Sequence, residues 1–263
     1  MESWNHVIEQ AEVHEHYVQF YKADEPLLNR NVGRYLWEGL LRGDALLIIA
    51  TPQRQESLTA HLRRMGGDVT AALNEGQLTI LDAQNTLDLF MVDGGPDRTR
   101  FEEIINGSLR LAGLRAPGAK VRAYGEMVGL LWEAEMFEAA IQLEDYWNQM
   151  IHSKGLTLFC GYPIDVFGKD IAGSHLQDLI RAHTHLLPAG CEGHMDHTVD
   201  RAMDDVLGLK AQTLRLAINA PRTVAMPGPE ATIGWLRQNL PDEADELLSR
   251  ARNYYQASTA TAA

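Results

Sequence analysis

Few cysteines, no excess of basic residues and no long apolar run characterise this sequence, and each shortage closes off a class of function. Cys160 and Cys191 are the only two cysteines. They cannot build a disulfide framework, so a reducing compartment is the default. Lysine and arginine number 23 against 36 acidic residues, a formal net charge of −13. Nucleic-acid affinity comes mainly from phosphate neutralisation, and anionic lipid surfaces attract basic clusters, so this balance argues against direct contact with either. The longest strand-like apolar runs, such as Ala45–Ala50, are about a third of the ~20 residues that a membrane span needs. The opening residues, MESWNHVIEQAEVHEHY, lack the basic and apolar regions of a secretory signal. Together these absences predict a soluble, cytoplasmic protein.

Catalytic signatures are also missing. There is no G-x-S-x-G and no H-E-x-x-H. Gly113–Lys120 comes near a phosphate-binding loop, but its lysine is one place late, no Ser or Thr follows, and it precedes a strand-like segment. The loop Ala50-Thr51-Pro52-Gln53 has no glycine to bare its amides to a phosphate. Walker-type hydrolysis is disfavoured, no cofactor is called for, and the chain reads as a non-enzyme, with residual nucleotide hydrolysis left open.

What the sequence does contain is regular alternation. Residues 25–42 carry apolar side chains at Leu28, Val32, Leu36, Leu40 and Leu41, a helical spacing with Asp24 as N-cap and Gly43 as C-cap. Ala45–Ala50 follows as a strand buried on both faces. Further strands are predicted at 78–82, 120–124 and 156–162, with helices at 54–65, 84–92, 97–113, 127–151 and 174–187 between and after them. This pattern predicts an α/β fold, a mostly parallel sheet flanked by helices. The first domain is placed at 1–190. A helical C-terminal extension at 191–263 holds two helical stretches, 197–218 and 229–256, whose amphipathic faces could pack on the sheet domain or on a second copy of the chain.

In parallel sheets ligands sit at the carboxyl ends of the strands. That rule selects Thr51, Pro52, Gln53, Asp82, Tyr124, Glu126 and Tyr162. Glu126 could be a ligand-reading carboxylate, or merely a charge favoured at a helix N-terminus. Residues 123–150 hold six acids and no base, most of them read as a solvated helix face. Trp132, Tyr146 and Trp147 read mainly as packing, although an aromatic near Glu126 could wall an apolar pocket. Among the ten histidines, His183 and His185 fall on opposite sides of a predicted helix and would not grip one metal together. Cys191, His194 and His197 have suggestive spacing for a metal-responsive switch, but a zinc site needs about four ligands, so a polar linker is the preferred reading. Cys160 reads as an inert buried thiol.

Taken in order, several segments resemble the MEDS family of sensory domains. They are His16-Tyr-Val-Gln-Phe-Tyr21, Leu47–Pro52, Leu81-Asp82-Ala83, Val121-Arg-Ala-Tyr124-Gly-Glu126-Met-Val128, Leu131-Trp132, Leu143-Glu144-Asp145 with Trp147-Asn148, Cys160-Gly-Tyr162-Pro163, and His183-x-His185. The match covers roughly 14–188. The resemblance implies a fold similar to RecA- and KaiC-like ATPases without a working phosphate loop. It also implies a sensor of small organic compounds, particularly hydrocarbon derivatives, that signals to a protein partner such as a histidine kinase or a transcription regulator. His16 and Trp132 then join the candidate ligand-binding residues as walls. Gln53-Arg54-Gln55 stands where the family often has a histidine, which leaves the specificity open. A degenerate nucleotide-binding ATPase is the alternative reading.

Overall fold

The computed structural model describes residues 4–113, 120–168, 173–218 and 224–262. The phosphate-loop look-alike at 113–120 and the break at 219–221 lie almost wholly outside them. In chain order the elements are α1 (Trp4–Glu9), β1 (His16–Phe20), α2 (Glu25–Arg42), β2 (Ala45–Ala50), α3 (Pro52–Arg64), α4 (Val69–Asn74), β3 (Leu78–Asp82), α5 (Ala83–Asp88), β4 (Met91–Val92), β5 (Gly95–Pro96) and α6 (Arg98–Gly113). They continue with β6 (Val121–Gly125), α7 (Met127–Glu133), α8 (Phe137–Lys154), β7 (Leu156–Tyr162), α9 (Gly173–Arg181), β8 (His185–Leu187), α10 (Glu192–Leu207), α11 (Lys210–Ile218), α12 (Gly228–Asn239) and α13 (Pro241–Ala262). The fold is α/β. Six strands form one sheet in the order β3-β2-β6-β7-β1-β8, and every pairing in it is parallel.

Local chemistry fixes the elements as the sequence predicts in several places. The Asp24 side chain accepts the Leu27 amide at the start of α2, and Gly43 ends that helix at φ 78°, a left-handed conformation that glycine adopts without a Cβ penalty. Strand residues alternate between two cores. Val18, Leu47, Ile49, Ala123, Leu158 and Cys160 face one, with Phe101, Leu143 and Trp147 from the helices. Tyr17, Leu46, Ile48, Tyr124 and Phe159 face the other, against Leu28, Val32, Tyr35 and Leu58. Period-two alternation with both faces covered is what makes these strands read as continuous apolar runs.

Two predictions are corrected, and one strand lies outside the predicted set. His16–Phe20 is a central strand, signalled by its aromatic and β-branched residues. The expected helix over 174–187 stops at Arg181, and His185–Leu187 pairs with β1 as a sixth strand. Leu187 precedes Pro188, and a residue in that position is biased away from helix. The expected helices of the extension each divide in two, at Gly208 with φ 54° and before Pro241. Most of the acids of 123–150 are solvated as expected, with Glu133, Glu135, Glu138 and Asp145 exposed, while Glu126 and Glu144 are buried.

The extension shares the sheet's core. Met195, Val199, Met203, Leu236, Leu247 and Tyr255 belong to the same buried cluster as Val18 and Leu158. Glu230 on α12 accepts the Ala189 amide at 2.7 Å, and the Tyr255 hydroxyl of α13 accepts the Cys191 amide at 3.0 Å.

Candidate functional site

The parallel register sets Ala50 beside Asp82, Ile49 beside Gly125, Gly125 beside Cys160 and Phe20 beside Tyr162. The carboxyl ends of β2, β6, β7 and β1 therefore form one edge. On it a cleft of about 160 Å³ opens, lined by Tyr21, Glu25, Thr51, Gln53, Arg54, Ser57, Glu126, Gly129, Leu130 and Glu133.

Its floor is an ion pair. Glu126 stands between β6 and α7 with φ −112° and ψ −3°, near the sparsely populated bridge region. One carboxylate oxygen accepts the Thr51 amide at 2.9 Å and the Thr51 hydroxyl at 3.0 Å. The other accepts Arg54 Nε at 2.7 Å and the Tyr124 hydroxyl at 3.0 Å. Arg54 also donates to Asn29 Oδ1 at 2.7 Å, pairs with Glu25 at 3.0 Å, and lies over the Tyr21 ring at 5.1 Å. Burial works against the Arg54 charge, but Tyr124 and Glu126 beside it outweigh that and hold its pKa above the ordinary value. Burial, then the Glu126 charge, push the Tyr124 phenol well up, and the same two causes bring Tyr21 up to about 12. Glu126 is thus an internal anion at the amino end of α3, where helix dipole and free amides would otherwise attract a phosphate.

Of the sequence-predicted residues, Thr51, Gln53 and Glu126 line this cleft, Pro52 opens α3 beside it, and Tyr124 braces it from below. Asp82 does not join them; its side chain caps α5 by accepting the Asn85 amide at 2.7 Å. Trp132 packs edge-on against Phe137 and Tyr162, as its packing reading has it. The sequence reading did not single out Arg54. No motif marks it, and only its place one turn into the helix after a strand could have drawn attention.

His16 and Tyr162 belong to a second, fully buried centre on the α8 side of the sheet. Its middle is Glu144, which the structure leaves 0% exposed. The Tyr162 hydroxyl donates to Glu144 at 2.7 Å, while His16 Nε2 and His183 Nε2 lie 3.4 and 3.2 Å from its two oxygens. Cys160 Sγ is 3.4 Å from His16 Nε2 and 3.7 Å from Glu144. Burial, then His183, hold His16 below its ordinary pKa. Burial alone would raise the Glu144 carboxyl, but His183 and His16 outweigh it and hold the group well below the usual carboxylate range. Burial, then Glu144, push Cys160 and Tyr162 up. Glu144 was readable in principle: with Ala140, Leu143, Trp147 and Ile151 it falls on the buried stripe of α8, where an acid is out of place.

Cys191 is the exposed N-cap of α10, and His194 and His197 follow in its first two turns, His194 half-buried and His197 exposed. Among the described residues, the only His, Cys, Asp and Glu side chains that converge as metal ligands are His16, Glu144, Cys160 and His183.

A parallel sheet with a cleft at its carboxyl edge is the architecture of the α/β proteins that place ligands at strand ends. The family model of the MEDS domain, the MEthanogen/methylotroph, DcmR Sensory domain, matches residues 15–184, and the chain belongs to this family of sensory domains. No curated protein matches the chain.

Proposed function

We propose that this protein is a non-catalytic sensor that binds a small organic molecule, a hydrocarbon derivative, in the cleft above the Arg54–Glu126 pair and signals to a separate protein partner such as a histidine kinase or a transcription regulator. The carrying observation is the cleft itself: about 160 Å³ at the carboxyl edge of the sheet in a sensory-domain family. Cavities of about 150 Å³ hold a molecule the size of benzene, and drug-sized ligands need roughly 300 Å³ or more. The ligand is therefore a compound of few heavy atoms. Tyr21, Leu130 and Gly129 offer it apolar surface, and Gln53, Ser57 and Arg54 offer it donors.

The nucleotide-binding alternative is less well supported, because the Glu126 carboxylate takes the Thr51 amide that would face a phosphate. The net charge of −13 favours a protein over a nucleic acid as the downstream partner. Among the described residues no helix is long and apolar enough to cross a membrane.

Calorimetry and thermal-shift measurements with short-chain halogenated and oxygenated organics test the reading. Saturable binding by wild type is expected, with loss of at least tenfold in affinity in Leu130→Trp, which fills the cleft. Absence of binding across the panel, or binding unchanged in Leu130→Trp, refutes it. Tight Mg²⁺-dependent ATP binding would favour the alternative.

A further inference from the structure

The centre around Glu144 is a side-chain cluster that ligand sensing at the cleft does not use, and its hydrogen bonds are oriented in a telling way. His183 Nδ1 lies 2.7 Å from the Leu179 carbonyl, which can only accept, so that nitrogen carries the proton. His16 Nδ1 lies 2.9 Å from Asn148 Oδ1, and the Asn148 amide nitrogen is committed as a donor to the Ala182 carbonyl at 2.8 Å. The Asn148 oxygen is therefore an acceptor, and His16 Nδ1 also carries its proton. Each imidazole, in its neutral form, therefore turns an Nε2 lone pair inward. The His183 Nε2 is buried without a hydrogen-bond donor. The lone pairs converge on the Glu144 carboxylate and the Cys160 thiol, and all four side chains are buried.

Acceptors crowded together in a buried space are satisfied by shared protons or by a metal ion between them, and the spacing of these four fits a metal. A zinc-class ion in tetrahedral coordination, with Zn–N about 2.0–2.1 Å and Zn–S about 2.3 Å, sets its ligand atoms about 3.3–3.6 Å apart. The observed separations are 3.4 Å from His16 Nε2 to Cys160 Sγ, 3.4 Å from His16 Nε2 and 3.7 Å from Cys160 Sγ to Glu144 Oε2, and 3.2 Å from His183 Nε2 to Glu144 Oε1. All four ligand atoms lie within 4.8 Å of one another. Imidazole nitrogens with the opposite ring N–H tied to a backbone or side-chain oxygen are the usual outer shell of a metal-bound histidine.

We propose that His16, Glu144, Cys160 and His183 form a binding site for a divalent transition-metal ion of the zinc class. Four protein ligands and burial on every side leave no open position, so the site is a structural or regulatory one rather than a hydrolytic centre. It ties β1, β7, α8 and the turn before β8 together, and metal affinity adds directly to the stability of that junction. Loading displaces the Cys160 proton, since the thiolate is the ligand. The site lies on the opposite face of the sheet from Tyr124 and its Glu126 contact, and the proposal is independent of what the cleft binds.

The experiment needs no organic ligand. Full-length protein expressed with zinc supplementation is analysed by elemental mass spectrometry, then stripped and reloaded with cobalt(II). One equivalent of metal per chain is expected, with a thiolate-to-cobalt charge-transfer band. The band should vanish in Cys160→Ser, and metal content should fall at least tenfold in His183→Gln. Cys191→Ser should keep both, which separates this site from any at the start of α10. Wild-type Tm should rise with zinc and fall with chelator. Because those wild-type measurements stand whether or not a variant folds, folded wild type with no stoichiometric metal and a Tm indifferent to zinc and chelator overturns the proposal and leaves a protonated imidazole against Glu144. Metal retained in Cys160→Ser with an unchanged cobalt spectrum overturns it as well.

Discussion

Truncating Glu126 to alanine tests the floor of the cleft most directly. The substitution removes an acceptor of four hydrogen bonds: the Thr51 amide and hydroxyl, Arg54 Nε and the Tyr124 hydroxyl. Taking one partner from a buried ion pair costs about 3–5 kcal/mol, because the other charge stays behind. Arg54 keeps Asn29 and Glu25 as partners, but the Glu25 side chain is 53% exposed and screened by solvent. That places the loss near the low end, at about 3 kcal/mol. In a chain of this size such a loss lowers Tm by about 6–12 °C. The assay is urea unfolding followed by circular dichroism, with Arg54→Met and the double variant completing a cycle. The double variant should lose less than the sum of the two singles by about 1.5 kcal/mol or more, since removing both partners leaves no orphaned charge. A loss below about 1 kcal/mol for Glu126→Ala, or strict additivity, would refute the reasoning that this pair is one buried unit.

Three further outcomes are expected. His61 and His185 are both held below the ordinary histidine value of 6.5, chiefly by burial, His61 also by Arg64, Arg34 and Arg30, and His185 against the opposing pull of Glu15. Below about 6.5 the unfolded chain binds the extra protons first, so stability is full above that pH and is lost as pH falls toward the lowered folded values; a Tm series over pH should be flatter in His61→Gln/His185→Gln, and an unchanged slope would count against it. Asp44 pairs with Arg122 at 2.9 Å in the core, with Arg122 also over the Tyr35 ring, so Asp44→Ala should cost about 3–5 kcal/mol in urea unfolding, more than Arg122→Met with Asp44→Asn together. A Cβ at Gly161 would come within 2.9 Å of the Tyr124 hydroxyl, so Gly161→Ala should destabilise by about 1–3 kcal/mol and recover part of that in a Tyr124→Phe background, with no recovery arguing for a backbone cause.

What the sequence revealed follows from how local each signal is. β2, α2 and its two caps were legible because an apolar run, an Asp three residues before a paired amide and a terminal glycine act within a few positions. β8 was not, because three residues carry little periodicity and the strand exists by pairing with β1, some 170 positions earlier in the chain. The edge residues Thr51, Gln53 and Glu126 could be found from the rule for parallel sheets alone. The burial of Glu144 is legible in the phase of α8, but the partners of Arg54, Glu144 and His183 are not, since they are distant in sequence: Glu126 for Arg54, and His16 and His183 for Glu144. The acids of α8 look alike in composition, and only helical phase separates buried Glu144 from exposed Asp145 beside it.

Strand β7 is where the cleft and the buried centre meet, and the pleat decides which residue serves which. Cys160 and Tyr162 project to the α8 face, one near His16 and the other onto Glu144. Phe159 projects to the opposite face against Tyr124, whose hydroxyl reaches Glu126 and occupies the space a side chain at 161 would need. Above the same strand end, α7 starts at Glu126 and carries Gly129 so close to the Gly161 carbonyl that a Cβ would sit 2.7 Å away, then sets Trp132 edge-on to Tyr162. A shift of α7 on ligand entry would therefore press on the β7 backbone and on the Tyr162 ring together. Close-packed contacts of this kind transmit a displacement rather than absorb it. If the cleft binds its ligand as proposed, the short helix between Glu126 and Trp132 would be the element that couples its occupancy to the rest of the sheet.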